Sequence, residues 1–239
     1  MTIAYDGTDF SGWQVQPGKR TIQKTIQNAV ERVVNHEINL YGAGRTDAGV
    51  HARAQAAHFI TESDIHCYRL RKAVNAHLDP DVRVVNLENA QPDFHARYSA
   101  KWKEYVYTID TGEDADLFSR KYTWHCGGRL GLRRMQRAAA ALCGEHDFAP
   151  FAAKREYRGG TVRTLMCCAV SRSERFIRIR LRANGFLYKM ARFITGTLVR
   201  AGRGNMEPES VSGVFVSREF GSAGYVAPAK GLCLEKIAY

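Results

Sequence analysis

The sequence contains no pair of cysteines in CxxC spacing. Its six cysteines are Cys67, Cys126, Cys143, Cys167, Cys168 and Cys233, and without such a pair a zinc site is not expected. The adjacent Cys167 and Cys168 sit in an apolar run and read as small buried residues. The eight histidines are scattered without ligand spacing, so no metal is read from them. No apolar stretch approaches the roughly 20 residues needed to span a bilayer. Asp6 and Asp9 follow Met1 without an apolar segment, so no export signal is read, and reduced thiols in the cytoplasm are the expectation. Low-complexity tracts and short repeats are missing as well. Acidic residues are in short supply, 24 against 35 Lys and Arg, which leaves a formal charge of +11. A polyanion suits such a surface, because each phosphate it neutralises releases condensed counterions. Charge alone does not separate nucleic acid from an acidic membrane or from plain solubility, although nucleic acid is favoured.

What is present is an ordinary globular composition, 45% hydrophobic and 25% charged over 239 residues, enough for one large domain or two small ones. Thr2 to Tyr5 reads as a short strand, followed by a loop punctuated by Gly7, Gly12, Pro17 and Gly18. Thr21 reads as a helix N-cap, with Ile22, Ile26, Ala29, Val30 and Val33 recurring at helical spacing until Asn35. Strands are expected at Ile38 to Tyr41, Ala52 to Ile60 and Val82 to Leu87, and a helix at Tyr68 to Leu78. The dense aromatic and β-branched run from Lys101 to Ile109 predicts a long strand. Leu132, Met135, Ala139 and Leu142 mark a second amphipathic helix. Thr164 to Arg182 predicts a hairpin turning near Ser173, with Ile177, Ile179 and Leu181 on one face and Arg178, Arg180 and Arg182 on the other. That arginine row reads equally as a solvated sheet face or an RNA track. Leu187 to Arg200 is helical in spacing, and Leu232 to Ile237 closes the chain as a strand. Irregular alternation of strands and helices, with hairpins as well as crossovers, favours an α+β fold. Two subdomains with mixed or antiparallel sheets, 1–97 and 98–239, are expected to flank a central basic active-site cleft.

The segment Gly42-Ala43-Gly44-Arg45-Thr46-Asp47-Ala48-Gly49 follows a strand, which usually points to phosphate binding. It has no Lys-Ser or Lys-Thr after its last glycine, and its glycines are spaced wrongly for a dinucleotide fingerprint. Glycine permits positive φ and close approach of a ligand, so the segment can present Arg45 and Asp47 from a tight backbone. The bland alternative is a surface turn in which Asp47 caps the next element.

Gly44-Arg45-Thr46-Asp47-Ala48-Gly49-Val50-His51-Ala52 resembles the signature of the TruA-type tRNA pseudouridine synthases, in which the aspartate is catalytic. Further matches follow in the family's order. Ala4 to Gln14 resembles its first strand and loop, while Phe94-His95-Ala96-Arg97 and Lys103-Glu104-Tyr105-Val106-Tyr107 resemble its central strand region. Gly144-Glu145-His146-Asp147-Phe148 resembles a later loop, Gly185-Phe186-Leu187-Tyr188-Lys189-Met190-Ala191-Arg192 its second active-site segment, and Ala227 to Leu232 its ending. Lys189 and Lys230 depart from the family, which often has asparagine or histidine there. The resemblance covers almost the whole chain.

The resemblance implies a tRNA uridine-to-pseudouridine isomerase that acts on nucleotides 38, 39 and 40 of the anticodon stem-loop, as a homodimer and without a cofactor. It makes Asp47 the nucleophile, and a carboxylate with an ordinary pKa is ionised and competent at neutral pH. Tyr105, which composition alone assigns to the core or a sheet face, becomes a ring that stacks on the flipped uracil. Arg192 is implied to pair with Asp47, Arg45 to order the loop and meet RNA phosphate or the flipped nucleotide, and Lys189 to contact substrate. A rival reading is a noncatalytic RNA-binding protein or folding chaperone on the same scaffold, which has no need of the acid. A second rival, a phosphate-binding hydrolase using the glycine loop, lacks the lysine and any carboxylate cluster for a metal.

Overall fold

The computed structural model describes residues 1–153, 157 and 159–239. The chain forms two compact units, Met1–Lys101 together with Cys233–Tyr239, and Trp102–Leu232. The sequence placed a division near Arg97; the last strand here belongs to the first unit.

In the first unit β1 (Thr2–Tyr5) lies antiparallel to both β3 (His51–His58) and β4 (Val82–Asn86). β10 (Leu232–Ala238) joins β3 in parallel, pairing Cys233 with His51 and Leu234 with Ala52. The short β2 (Tyr41–Gly42) runs antiparallel to the far end of β3. A four-residue strand was expected at Ile38 to Tyr41, but the ladder holds only its last residue and Gly42. Ile38 and Leu40 are buried by packing rather than by strand pairing. Helix α1 (Ile22–Val34) buries Ile22, Ile26, Ala29 and Val30 and ends on Asn35, whose φ of 58° closes the last turn. Thr21 occupies the N-cap with extended backbone, but its buried hydroxyl makes no hydrogen bond, so it does not cap as expected. Helix α2 (Cys67–Ala76) is pinned to β4 by Asn75. Its amide donates to the Val84 carbonyl at 2.9 Å and its oxygen accepts from the Val84 N–H at 2.8 Å.

In the second unit β5 (Trp102–Asp110), β9 (Phe176–Ala183), β8 (Val162–Ser173) and β7 (Gly144–Asp147) pair antiparallel in that order, while β6 (Trp124–His125) lies parallel to the end of β5. Both units thus carry mixed sheets with helices, as expected. Strand β7 falls where a loop was expected; its Glu, His and Asp residues lie at a sheet edge and are held by β8. The alternation on β9 is realised fully, with Ile177, Ile179 and Leu181 at 0% exposure. Helix α3 (Leu132–Ala140) packs on β8 and on α4 (Met190–Gly202). Almost every residue of α4 is buried; Thr195 and Thr197 satisfy their hydroxyls on the carbonyls of Ala191 and Phe193. The helix begins three residues later than the spacing predicted, because Lys189 adopts a left-handed conformation with φ 63° at its N-cap. No described helix is long and apolar enough to cross a membrane.

Candidate active site

The glycine-rich segment leaves β2 and returns into β3, and its main chain is fixed at almost every step. Ala43 N–H donates to the Ala56 carbonyl at 2.7 Å, which carries the β2–β3 ladder one residue further. The Gln55 side chain, fully buried, donates to the Gly44 carbonyl at 3.1 Å. Trp13 N–H donates to the Thr46 carbonyl at 3.0 Å, and the Tyr5 and Thr46 hydroxyls share a buried hydrogen bond of 2.8 Å. Burial raises the Tyr5 phenol well above its ordinary pKa despite the opposing hydrogen bonds to Thr46 and Gln55, so this partner stays neutral. Val50 N–H then donates to the Asp47 carbonyl at 3.1 Å, closing a turn whose third residue, Gly49, has φ 76°.

The loop after β1 is pressed against this segment. Gly12 has φ 89°, and a Cβ there would lie 2.7 Å from the Thr46 carbonyl oxygen and 3.1 Å from the Ala48 nitrogen. Only glycine allows the two backbones to approach this closely. The Gly12 and Trp13 carbonyls in turn accept from Ile22 N–H at 3.1 Å and Gln23 N–H at 3.0 Å, satisfying donors that the start of α1 would otherwise leave open. Arg45 is exposed, Thr46 buried and Asp47 half-buried. Alternation of this kind turns the threonine into an anchor and directs its two charged neighbours away from the core.

The other expected residues belong to the second unit. Tyr105 lies on β5 opposite Leu181, is 8% exposed, and meets Phe186 edge to face with ring centres 4.9 Å apart. Lys189, at the N-cap of α4, accepts from Arg192 and Phe193 N–H on its carbonyl, both at 3.0 Å, and its ammonium sits 5.0 Å over the Tyr188 ring. Arg192, one turn on, donates through Nε to the Ala227 carbonyl at 2.7 Å, while Ala227 N–H returns a bond to the Arg192 carbonyl at 3.1 Å. Lys230 is exposed in a short 3₁₀ turn at Ala229–Gly231. Arg45 and Asp47 therefore share one loop of the first unit, and Lys189 and Arg192 share one helix end of the second.

The arginine row on β9 is partly neutralised. Arg182 donates through Nε and Nη2 to Oε2 of Glu104 at 3.0 and 2.7 Å and lies 4.4 Å over the Trp102 ring, while Arg180 approaches the same carboxylate at 3.9 Å. Among the described residues no group of three or more His, Cys, Asp or Glu side chains could hold a metal ion. Sequence reasoning assigned no role to Tyr5, Gly12, Trp13 or Gln55, which hold the aspartate loop. Tyr5, Gly12 and Trp13 lie in the Ala4–Gln14 match quoted above, so that motif was their signal.

A family model described as tRNA pseudouridine synthase matches residues 1–99 and 138–239. The tRNA pseudouridine synthase A of Thermoanaerobacter sp. is 41% identical over 239 residues, covering 100% of this chain and 98% of its own length. The protein of the same name from Moorella thermoacetica is 42% identical over 241 residues, with 100% and 98% coverage. That of Brevibacillus brevis is 41% identical over 237 residues, with 99% and 97% coverage.

Proposed function

Because the chain belongs to the tRNA pseudouridine synthase family, we propose that it isomerises uridine to pseudouridine in tRNA with Asp47 as its nucleophile. The enzyme class follows from membership; the residue roles and the target nucleotides are our reading. In the overall change the bond from ribose C1′ to uracil N1 breaks, a bond from C1′ to C5 forms, the proton of C5 departs and N1 gains one. Atoms and electrons balance within the nucleoside, so the reaction consumes no oxidant, reductant or high-energy donor.

The observation that carries the reading is the construction of the Gly42–Val50 loop. Its anchors are main-chain atoms, the Thr46 hydroxyl and the side chains of Tyr5 and Gln55. Together they fix the main chain on both sides of Asp47. Nucleophilic catalysis asks for a carboxylate held in position by its backbone. The target base must leave the stack to reach such a group. Tyr105 supplies the ring for the extruded uracil, Arg45 meets phosphate or the flipped nucleotide, and Arg192 and Lys189 add positive charge for the substrate, with Arg192 counted among the catalytic residues. A basic cleft, a homodimer and nucleotides 38, 39 and 40 of the anticodon stem-loop as targets complete the proposal on the strength of the family resemblance.

The test is tritium release from tRNA carrying C5-labelled uridine, with RNA binding measured on the same preparations. The wild type should release tritium, and Asp47→Asn should lose turnover by several orders of magnitude while binding persists. A wild type that binds tRNA well and releases no tritium from any tRNA would make the chain a noncatalytic binder.

A further inference from the structure

The Phe94-His95-Ala96-Arg97 motif has no role in the reading above, yet in the first unit it completes an unbroken chain of aromatic contacts. Tyr41 stacks on His58 with ring centres 5.1 Å apart and planes at 20°. His58 meets His95 edge to face at 4.6 Å, and His95 meets Tyr98 at 4.4 Å. Phe94 supports the row from behind, 6.2 Å from His58 and 4.9 Å from Tyr239.

Backbone hydrogen bonds fix both imidazoles. Ala96 N–H donates to His58 Nδ1 at 3.2 Å, and Arg97 and Tyr98 N–H point at His95 Nδ1 at 3.1 and 3.4 Å. Both Nδ1 atoms act as acceptors, which places the ring proton on Nε2. Burial, the neighbouring His95 and the amino terminus lower the pKa of His58, so it acts as a neutral aromatic plate.

The two ends of the row are open. Tyr41 is 48% and Tyr98 76% exposed, and the exposed Arg97 holds its guanidinium 5.6 Å over the Tyr98 ring. Rigid aromatic faces beside a guanidinium match the chemistry of unpaired nucleotides, whose bases stack and whose phosphates need a cation. Tyr41 pairs with His58, at the opposite end of β3 from His51, where the Asp47 loop enters; at about 3.3 Å per residue the row lies away from Asp47, so it suits a nucleotide other than the immediate neighbours of the target.

We propose that Tyr41, His58, His95 and Tyr98, with Arg97, form a stacking platform for an unpaired nucleotide of the substrate RNA away from the target uridine, the base resting on the tyrosine rings and the phosphate on Arg97. The proposal rests on the reading that this chain acts on tRNA through Asp47. It makes the platform a binding and positioning element, not a reacting one.

The test uses the full chain and tRNA carrying 2-aminopurine in turn at unpaired positions outside the target uridine and its immediate neighbours. Tyr41→Ala combined with Tyr98→Ala should raise Kd and KM by about ten- to a hundredfold, abolish fluorescence quenching of one reporter, and leave the single-turnover rate at saturating RNA nearly unchanged. Tyr41→Phe with Tyr98→Phe, which keeps the rings, should restore wild-type binding. Arg97→Gln should weaken affinity and flatten its salt dependence. Should the double alanine variant unfold, Tyr98→Leu alone, at a largely exposed position, carries the same prediction for the quenching. Unchanged Kd and unchanged quenching in the ring-deleted variants would overturn the platform. So would loss of self-association with unaltered RNA affinity, which would assign the face to a second copy of the chain. An active wild type whose ring-deleted variants behave normally sinks the platform alone, whereas an inactive wild type sinks the Asp47 reading.

Discussion

In the Gly42–Val50 loop of the first unit the backbone is held by Trp13, Tyr5, Gln55 and its own closing turn, whereas in the loop after β5 of the second unit a carboxylate does the holding. Asp110 is 0% exposed. It accepts from Arg175 Nε and Nη2 at 2.6 and 2.9 Å, from Gly112 N–H at 2.9 Å and from Asp116 N–H at 3.0 Å. Burial pushes its pKa up, but these donors outweigh burial and hold it at about 2. Removing such a partner leaves charged and polar donors unpaired, so Asp110 is committed to structure. Around the half-buried Asp47 the backbone is fixed through Gly12, Trp13, Tyr5 and Gln55. The first loop is tied by main-chain and neutral side-chain contacts, the second by a buried carboxylate–guanidinium pair.

The comparison can be broken most severely at Gly12. Gly12→Ala forces a methyl group against the Thr46 carbonyl and imposes an unfavourable positive φ, so the Asp47 backbone must shift. Displacement of a reacting group by about 1 Å can cost roughly a hundredfold in rate. Single-turnover tritium release should fall by about that factor while circular dichroism stays native; an unaltered rate would mean the clamp does not position the acid. At Tyr105 a smaller loss separates stacking from proton transfer. Tyr105→Leu should lose about tenfold or more in turnover, consistent with a lost base–ring contact, and Tyr105→Phe should keep most of it. Equal damage from both would give the hydroxyl a role.

The second loop makes a prediction in pH. Asp110 has a depressed pKa, so its contribution to stability is fully present above the ordinary carboxylate pKa and is lost as pH falls through about 2. Asp110→Asn should therefore destabilise the protein at neutral pH by about 1–3 kcal/mol, and this gap should close in unfolding curves recorded from about pH 4 down to about pH 2. A gap independent of pH would remove the charge from the explanation. The smallest effect is expected on β9. With Arg182 and Arg180 already facing Glu104, replacing Arg178, Arg180 and Arg182 together should reduce the salt slope of tRNA binding by no more than about 1, one phosphate contact. A larger drop would make the row an RNA track.

Much of this architecture was legible because the periodicities are strong. The β9 alternation and the α1 spacing place residues where burial alone puts them, and Asn35 marks the helix end. Elements that depend on distant partners were not. Strand β7 is polar and exists through its pairing with β8, and Ile38 and Leu40 are apolar for packing reasons that mimic a strand. The loop from Thr111 to Leu117 reads as merely acidic and polar, because the arginine that organises it lies 65 residues from Asp110. At the candidate site the glycines around Asp47 announced an unusual turn. The assignments of Tyr105, Arg192 and Lys189 came from resemblance, since a tyrosine on a strand and cations at a helix start carry no signal of their own. The ring row through His58 and His95 was unreadable for a similar reason: it joins residues from three separate segments.

The most direct measurement compares Asp47→Asn with Asp110→Asn in one experiment, recording single-turnover tritium release and thermal unfolding for both. Asp47→Asn should stay folded and lose tritium release by several orders of magnitude, while Asp110→Asn should unfold at a lower temperature than the wild type and, where folded, react at close to the wild-type rate. Full activity in Asp47→Asn would contradict the account.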